Sequence, residues 1–370
     1  MFIKQQVIAL FLLGFLAISA LPVRAEPYFA IRTGNKCSTC HVNPTGGGKR
    51  TEYGNVYAQT QLITRYLGEM DDAESASPDL WTGRVHPILA IGGDLRADFK
   101  FEDIADNSNR NEFDLQEALV YLELDLVPGV FTLYVDERLG PDSAFTREAW
   151  GLYSFAENFY LKGGRFFLPF GLRLEDDTAF IREASGINFN TPDEGVELGF
   201  EKGAWSTAFA VTNGNPGGTE IDEEKRVSAL AAYVKPRWRV GVSASVNSSD
   251  NGDRVMQSVF AGFRSGKVTW LAELDYIEDD VQSPVEVKQW AGLLEANIEL
   301  MRGHNLKLSY EGFEPDDDRE DDLQQRFSIV WEYFPFQFTQ LRAGLRFRNS
   351  DTDDPFENSD LLFIQMHAYF

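Results

Sequence analysis

The sequence predicts an all-β protein whose main part is a closed barrel of 16 antiparallel strands, preceded by a small cysteine-bearing segment. Three observations carry this prediction. From Gly83 onward, apolar side chains occupy every second position in segments of about ten residues, the period of a strand with two unlike faces. The connections between these segments alternate in length, and the last alternating segment ends on Phe370.

Sixteen segments show the alternation. In one of them, Leu294, Ala296, Ile298 and Leu300 are separated by polar residues. The predicted strands start near residues 84, 112, 130, 146, 159, 195, 204, 225, 238, 254, 267, 286, 305, 324, 338 and 360. An even number of strands lets both ends of an up-and-down sheet meet on one side.

The connections consist of seven tight turns and eight long loops, as such a barrel requires. The tight turns lie at 127–129, 156–158, 202–203, 236–237, 265–266, 302–304 and 335–336, and the long loops lie near 100–110, 140–145, 171–194, 213–224, 248–253, 278–285, 314–323 and 349–359. Acid concentrates in the long loops, with seven carboxylates and one arginine from Glu314 to Asp322. Several tight turns carry Lys235, Arg237, Arg264, Lys267 or Arg302 instead.

A soluble β-sandwich also has alternating strands, but it does not explain the regular alternation of turns and loops. The terminal aromatic residue after an alternating strand resembles the C-terminal signature of outer-membrane barrels. We therefore expect an outer-membrane β-barrel, and at 16 strands such a barrel encloses an aqueous lumen. The 34 basic and 58 acidic residues give a net charge of -24, which repels phosphate backbones and excludes nucleic acid as a partner.

The first 25 residues have the pattern of a secretory signal peptide. Lys4 precedes an apolar run, and Val23-Arg24-Ala25 is a small-x-small cleavage pattern. The run is shorter than the roughly 20 residues that a membrane-spanning helix needs. We expect cleavage after Ala25 and export to the bacterial outer membrane.

The mature chain divides into three parts. Residues 26–67 form a small module with one amphipathic helix expected between Thr51 and Tyr66. Residues 68–82 are acidic and serine-bearing, the composition of a linker, and residues 83–370 form the barrel. A module of about 40 residues is near the lower limit for an independent core, so we expect it to dock in the barrel mouth as a plug.

The module contains both cysteines of the chain, in the motif Cys37-Ser38-Thr39-Cys40-His41. Two thiols at this spacing reach the two vinyl groups of one haem, and the adjacent imidazole becomes the proximal iron ligand. A zinc site would need two more nitrogen or sulfur ligands nearby, and a redox dithiol would not need His41. The motif therefore predicts one covalent haem c, and the glycines 46–48 after it predict a turn where backbone packs against the porphyrin.

The sixth position of the iron decides between electron transfer and ligand binding. The candidates are His86, His367 and Met70. By strand parity Asp94 and Arg96 face the lumen, which puts His86 on the lumen side near the periplasmic mouth. His367 also faces the lumen near that mouth, on the neighbouring last strand, so we expect the two histidines to lie close together. We rank the two histidines together above Met70, because Met70 lies in the linker.

Around the cysteine motif the sequence resembles a known family, the outer-membrane fused cytochrome-porins of iron-oxidising bacteria. The matching residues are Phe29-Ala30, Thr33-Gly34, Cys37, Cys40, His41 and Tyr53-Gly54. The resemblance implies a haem c on Cys37, Cys40 and His41 that moves electrons between the cell exterior and the periplasm. It implies outer-membrane lipid, a periplasmic electron-carrier cytochrome and an extracellular electron donor or acceptor such as Fe(II) as partners.

Two functions follow from the sequence. The first is electron transfer across the outer membrane through a haem docked in the barrel, with extracellular Fe(II) oxidation as the activity that the resemblance suggests. The alternative is a solute-conducting porin that carries a tethered periplasmic cytochrome. An inward fold of the long loop 171–194, forming a constriction, would suit the alternative.

Overall fold

The computed structural model describes residues 26–66, 80–104, 109–141, 143–215, 223–249, 252–281, 286–352 and 357–370. The predicted signal peptide at residues 1–25, Met70 and most of the predicted linker lie outside the described residues. Among the described residues, no helix is long and apolar enough to cross a membrane.

Sixteen long antiparallel strands close into a barrel, because β17 pairs with β2 and every other long strand pairs with its neighbours along the chain. The strands are β1 Arg84–His86, β2 Leu89–Ile104, β3 Arg110–Val127, β4 Phe131–Gly140, β5 Phe145–Ala156, β6 Phe159–Phe166, β7 Asp193–Lys202, β8 Trp205–Thr212, β9 Arg226–Lys235, β10 Trp238–Ser249, β11 Gly252–Ser265, β12 Val268–Asp279, β13 Val287–Met301, β14 His304–Glu314, β15 Gln324–Tyr333, β16 Thr339–Ser350 and β17 Ser359–Tyr369. The predicted 16-stranded barrel is confirmed. The tight turns define its short-turn end, and the long loops define its long-loop end.

The predicted strand starts agree with the observed ones to within two residues, except for the first. The expected start near residue 84 is wrong, because residues 84–86 form the separate short strand β1, which folds back on β2 through the pair His86↔Leu89. Pro87 explains the break: it has no N–H to donate to the ladder and restricts the residue before it. The first barrel strand therefore begins only at Leu89.

The two faces of the strands differ as the alternation predicts. On β12, Trp270 and Leu274 are exposed on the outside, whereas Glu273 and Asp275 are buried in the interior. Aromatic side chains gather outside near the short-turn end, where the rings of Trp205 and Tyr233 lie 4.9 Å apart. An apolar outer face with aromatic rings near its edge is typical of a barrel that lies in lipid.

Three helices form the N-terminal segment, residues 26–66. They are α1 Pro27–Thr33, α2 Cys37–Cys40 and α3 Glu52–Thr60. Gly34 ends α1 in the left-handed region at φ 73°, and the Thr51 side chain caps α3 by accepting a hydrogen bond from the Gly54 N–H. The helix expected to run to Tyr66 is shorter, because the backbone N–H of Thr64 donates instead to Phe334 O at 2.9 Å.

The barrel interior is filled from two sides. The N-terminal segment lies inside the short-turn end, and the long loop after β6, residues 171–192, folds inward and carries the short helix α4 Phe180–Glu183. The loop is tied across the lumen: Arg342 Nη1 lies 3.4 Å from a Glu175 carboxylate oxygen, and the Phe180 N–H donates to Glu311 at 2.8 Å. The inward fold of this loop is confirmed.

Candidate functional site

The N-terminal segment is fixed to opposite walls of the barrel by buried hydrogen bonds. Tyr28 OH donates to Glu332 on β15 at 2.9 Å. On the other side, Asn43 Nδ2 donates to Glu148 on β5 at 2.7 Å, and Asn43 Oδ1 accepts from Lys162 on β6 at 3.2 Å. A buried polar group that loses its partner is costly, so these bonds fix the position of the segment.

Apolar contacts complete the docking of α1. Tyr28 and Ile31 are fully buried between the segment and the wall. Ile31 occupies the space in which a side chain at position 262 would lie, so Gly262 on β11 lets the helix approach the strand. Gly34 likewise sits against the β9–β10 turn, where a Cβ would lie 3.0 Å from Pro236 Cα.

Between the docked segment, the inward loop and the barrel wall lies a cavity of about 400 Å³. Its lining includes Cys37, Cys40 and His41 together, with Phe29 and Tyr57 as apolar neighbours. Cavities of this size are typical of sites for small molecules and cofactors. The sequence predicted that these three residues act at one site, and the structure brings them to one cavity.

The chain around the motif is shaped to hold it at this cavity. Cys37 and Cys40 are the ends of the single turn α2, and His41 pairs with Arg50 in an isolated antiparallel bridge. The return from His41 to Arg50 uses the glycines 46–48, which have φ values of 96°, 82° and 62°. A Cβ on Gly46 would lie 3.3 Å from Cys37 Cβ, so the turn packs directly against the motif. The turn expected at residues 46–48 is confirmed, and its packing against a porphyrin stays a prediction.

The surroundings of the motif disfavour a redox dithiol. Burial, and secondarily Cys37, raise the pKa of the Cys40 thiol to about 11, whereas exchange-active cysteines are thiolates. Among the described residues, the only cluster of three metal-ligating side chains is Asp316, Asp317 and Asp318 in the long loop after β14, and the cysteine motif is not part of it.

The residues of the cavity fit a haem. Burial, with a smaller contribution from Arg50, lowers the pKa of His41 to about 4, so its imidazole is neutral as iron ligation requires. The buried His41 Nδ1 has no hydrogen-bond partner among the described residues. The buried Arg239 guanidinium also lines the cavity, and within the described part of the chain its Nε has no partner and no carboxylate pairs with it. Such a cation suits a propionate carboxylate.

The distal-ligand candidates lie in different places. His86 is exposed on β1 and outside the cavity lining, so its expected lumen position is wrong; the fold-back at Pro87 breaks the strand parity on which that expectation rested. His86 pairs with Leu89, whereas His367 pairs with Arg96, about 23 Å further along β2 at roughly 3.3 Å per residue. The expected proximity of the two histidines is therefore also wrong.

His367 does line the cavity, as predicted, but both of its ring nitrogens have partners. Nε2 lies 2.8 Å from Asp94 Oδ2, and Nδ1 lies 2.9 Å from Gln340 Oε1. Asp94 is in turn bound by the Arg96 guanidinium at 2.9 Å. Ligation by His367 would need one of these hydrogen bonds to break. Met70 lies outside the described residues.

A bridge of charges separates this cavity from a second one of about 290 Å³ towards the long-loop end. Glu175 of the inward loop lies 3.3 Å from Arg96 on β2 and 3.4 Å from Arg342 on β16. Arg96 and Glu175 line both cavities, so the two spaces adjoin at this bridge. Strand parity predicted that Arg96 faces the lumen. The position of Glu175 could not be predicted, because its partners Arg96 and Arg342 lie on strands that are distant in sequence.

Comparison with solved structures identifies the barrel. The anion-selective porin from Comamonas acidovorans superposes with a TM-score of 0.62 at 11% identity, covering 76% of this chain and 99% of that chain. The chain has the fold of the outer-membrane porins. The porin fold recurs in the outer membrane channel DcaP of Acinetobacter baumannii, with a TM-score of 0.60, 13% identity and coverage of 76% and 97%, and in OmpT of Vibrio cholerae, with a TM-score of 0.57, 12% identity and the same coverage.

The similarity is one of structure alone. No protein-family model matches the sequence, and no curated protein matches it. At these identities the porin fold describes the architecture, and the chemistry of the site has to be argued from the residues in the cavity.

Proposed function

We propose that this protein transfers electrons across the bacterial outer membrane through one haem c, held by Cys37 and Cys40 in the cavity between the N-terminal segment and the barrel. One observation carries the proposal: both thiols and His41 line the same cavity inside the barrel. When bound, the haem supplies a one-electron redox centre.

In this proposal each residue of the cavity has a defined task. Cys37 and Cys40 hold the group through thioethers, and His41 holds the iron through a neutral imidazole. Arg239 binds a propionate, and the rings of Phe29 and Tyr57 exclude water from the apolar edge. The Glu175 bridge lies between this cavity and the second one towards the long-loop end.

The orientation of the barrel and the external partner belong to the proposal. The porin fold places short turns in the periplasm and long loops outside the cell. The haem segment then faces the periplasm, and the acidic loops face the exterior. Extracellular Fe(II), the donor that the resemblance to fused cytochrome-porins suggests, would be concentrated by those loops.

The second candidate is a solute-conducting porin with the cytochrome segment as an appendage. The inward loop 171–192 and the solved porins of similar fold favour the barrel half of this candidate. The docked position of the segment favours the first candidate, because the segment fills the lumen at the short-turn end. Planar-bilayer conductance separates the two: a plugged barrel passes little current, and an open one conducts.

The test of the proposed function is covalent attachment. The double variant Cys37→Ala, Cys40→Ala should abolish haem-dependent peroxidase staining of the denatured polypeptide, because it removes both thioethers and only a thioether survives unfolding. Ser38→Ala, within the same turn, is the matched control and should keep the stain. An unchanged stain in the double variant, or no stain in the exported wild-type protein, would remove the haem and with it the proposed function.

A further inference from the structure

The short-turn end carries a concentration of exposed positive charge in a chain whose net charge is -24. Five of the exposed cations lie in four turns that are consecutive around the barrel, from β7 to β14, and one lies on the N-terminal segment. They are Arg65, Lys202, Lys235, Arg237, Lys267 and Arg302, which we call the basic arc. None of the four turns contains an acidic residue.

The acidic residues nearest to the arc in sequence already have partners. Glu201, at the end of β7, is only partly exposed and lies 2.8 Å from Lys36 Nζ. Glu299, near the end of β13, lies 3.8 Å from Arg32 and 3.7 Å from Arg264. These pairs join the N-terminal segment to the wall, so neither carboxylate is free to neutralise the arc.

The arc borders the segment that carries the cysteine motif. Pro236, between Lys235 and Arg237, packs against Gly34, three residues before Cys37. Arg302 donates a hydrogen bond to Thr60 O at 2.6 Å. Positive charge therefore borders one side of the N-terminal segment, along the turns from β7 to β14, where the segment closes the mouth of the barrel.

The segment adds an apolar centre to this charged rim. Tyr53 is 49% exposed, and its ring stacks with that of Tyr57, which lines the cavity, at a centroid distance of 6.2 Å. Exposed aromatic side chains inside a polar rim are typical of a protein–protein interface. Tyr53 and Tyr57 also connect this outer surface with the proposed haem site.

We propose that the basic arc and the exposed face around Tyr53 form the docking surface for an acidic electron-carrier protein of the periplasm; this inference rests on the proposed function. Complementary charge raises the rate of productive encounter and fixes the orientation of the partner. The occupant is a protein and not lipid, because Arg65 lies on the segment and Arg302, in the β13–β14 turn, reaches towards it and donates to Thr60 O, so both cations border the mouth that the segment closes.

The test uses the purified holoprotein and two soluble redox proteins too large to enter the barrel. Oxidised plastocyanin is the acidic probe, and oxidised mitochondrial cytochrome c is the basic one. Oxidation of the reduced haem by plastocyanin should be faster than by cytochrome c at low ionic strength and should slow as salt is added. This measurement needs no variant, so a misfolded mutant cannot decide it.

The triple variant Lys202→Glu, Lys235→Glu, Lys267→Glu should slow oxidation by plastocyanin about tenfold or more at low salt and speed oxidation by cytochrome c. The matched control, Arg110→Glu, Lys225→Glu, Arg319→Glu, makes the same charge change at exposed positions of the long-loop end and should leave both rates within about twofold. Equal slowing in both variants, or no salt dependence in the wild type, would overturn the docking surface.

Two further outcomes would lead to different conclusions. Copurification of more phosphatidylglycerol with the wild type than with the triple variant would assign the arc to lipid headgroups and overturn the inference. Absence of the covalent haem stain in every preparation would instead overturn the proposed function, on which the docking surface rests.

Discussion

The buried Arg239 gives a prediction at the scale of one residue. Arg239→Gln removes the cation proposed to bind a propionate and should lower the reduction potential of the haem by about 60 mV, the equivalent of a charge-assisted contact of about 1.4 kcal/mol. Spectroelectrochemical titration of the holoprotein measures the shift. Arg237→Gln, which removes an exposed guanidinium two positions away, should leave the potential in place; equal shifts in both variants would contradict the assignment.

Individual residues could be predicted from the sequence where their chemistry is local. Cys37, Cys40 and His41 stand within five positions, so their spacing alone indicated one site, and the structure places them on one cavity. Arg239 could not be found in this way, because its role depends on a helix that begins more than 200 residues earlier in the chain. His86 was misplaced because a single proline, Pro87, interrupts the strand.

The distal ligand gives a second residue-scale prediction. Because both ring nitrogens of His367 are hydrogen-bonded and His86 is exposed, the double variant His86→Ala, His367→Ala should leave the spin state of the iron unchanged. Electronic absorption and electron paramagnetic resonance spectra check this. Conversion from low-spin to high-spin iron in the double variant would restore the histidines as ligands. A near-infrared band lost in Met70→Ala would assign the position to Met70.

At the scale of elements, the strands were predictable and the docking of the helices was not. Apolar and polar side chains alternate along each strand, and this pattern is local in sequence. The first residues of strands such as β6 and β10 could therefore be predicted. The placement of α1 depends on the hydrogen bond between Tyr28 and Glu332, which are 304 positions apart in the sequence. It also depends on Gly262, because a side chain at that position would overlap Ile31. No local pattern contains such contacts.

The hydrogen bonds of Asn43 make the docking testable. Asn43→Ala should leave the buried Glu148 and Lys162 without this shared partner, at a cost of about 1–3 kcal/mol, and should raise the undocked population roughly 5- to 150-fold. The rate of tryptic cleavage within residues 26–66 of the folded barrel measures that population. Asn35→Ala is the control, since the Asn35 side chain bonds to Tyr53 within the segment. Equal cleavage in both variants would show that Asn43 does not secure the plug.

The whole molecule is electrically polarised along the barrel axis. Acidic residues are concentrated in the long loops, with seven carboxylates between Glu314 and Asp322. Exposed basic residues are concentrated around the short-turn end. The sequence alone predicted this division, because the assignment of turns and loops needs only their lengths. It could not predict that the N-terminal segment and the loop 171–192 would enclose a cavity between them, since both enter the lumen through contacts that are distant in sequence.

Polarity and fold together fix an orientation that can be tested on cells. A peptide tag between Asp318 and Glu320 should bind antibody on intact cells, because this loop tip is exposed and the porin fold directs long loops outward. The same tag in the β11–β12 turn, between Ser265 and Gly266, should bind only after the outer membrane is permeabilised. Each insertion serves as the control for the other, because the two tags lie at opposite ends of the same barrel. A tag that antibody cannot reach for some local reason is then distinguished from a reversed barrel. If the turn tag is reached first, the cysteine motif faces the exterior, and the basic arc would then meet extracellular partners in place of a periplasmic carrier.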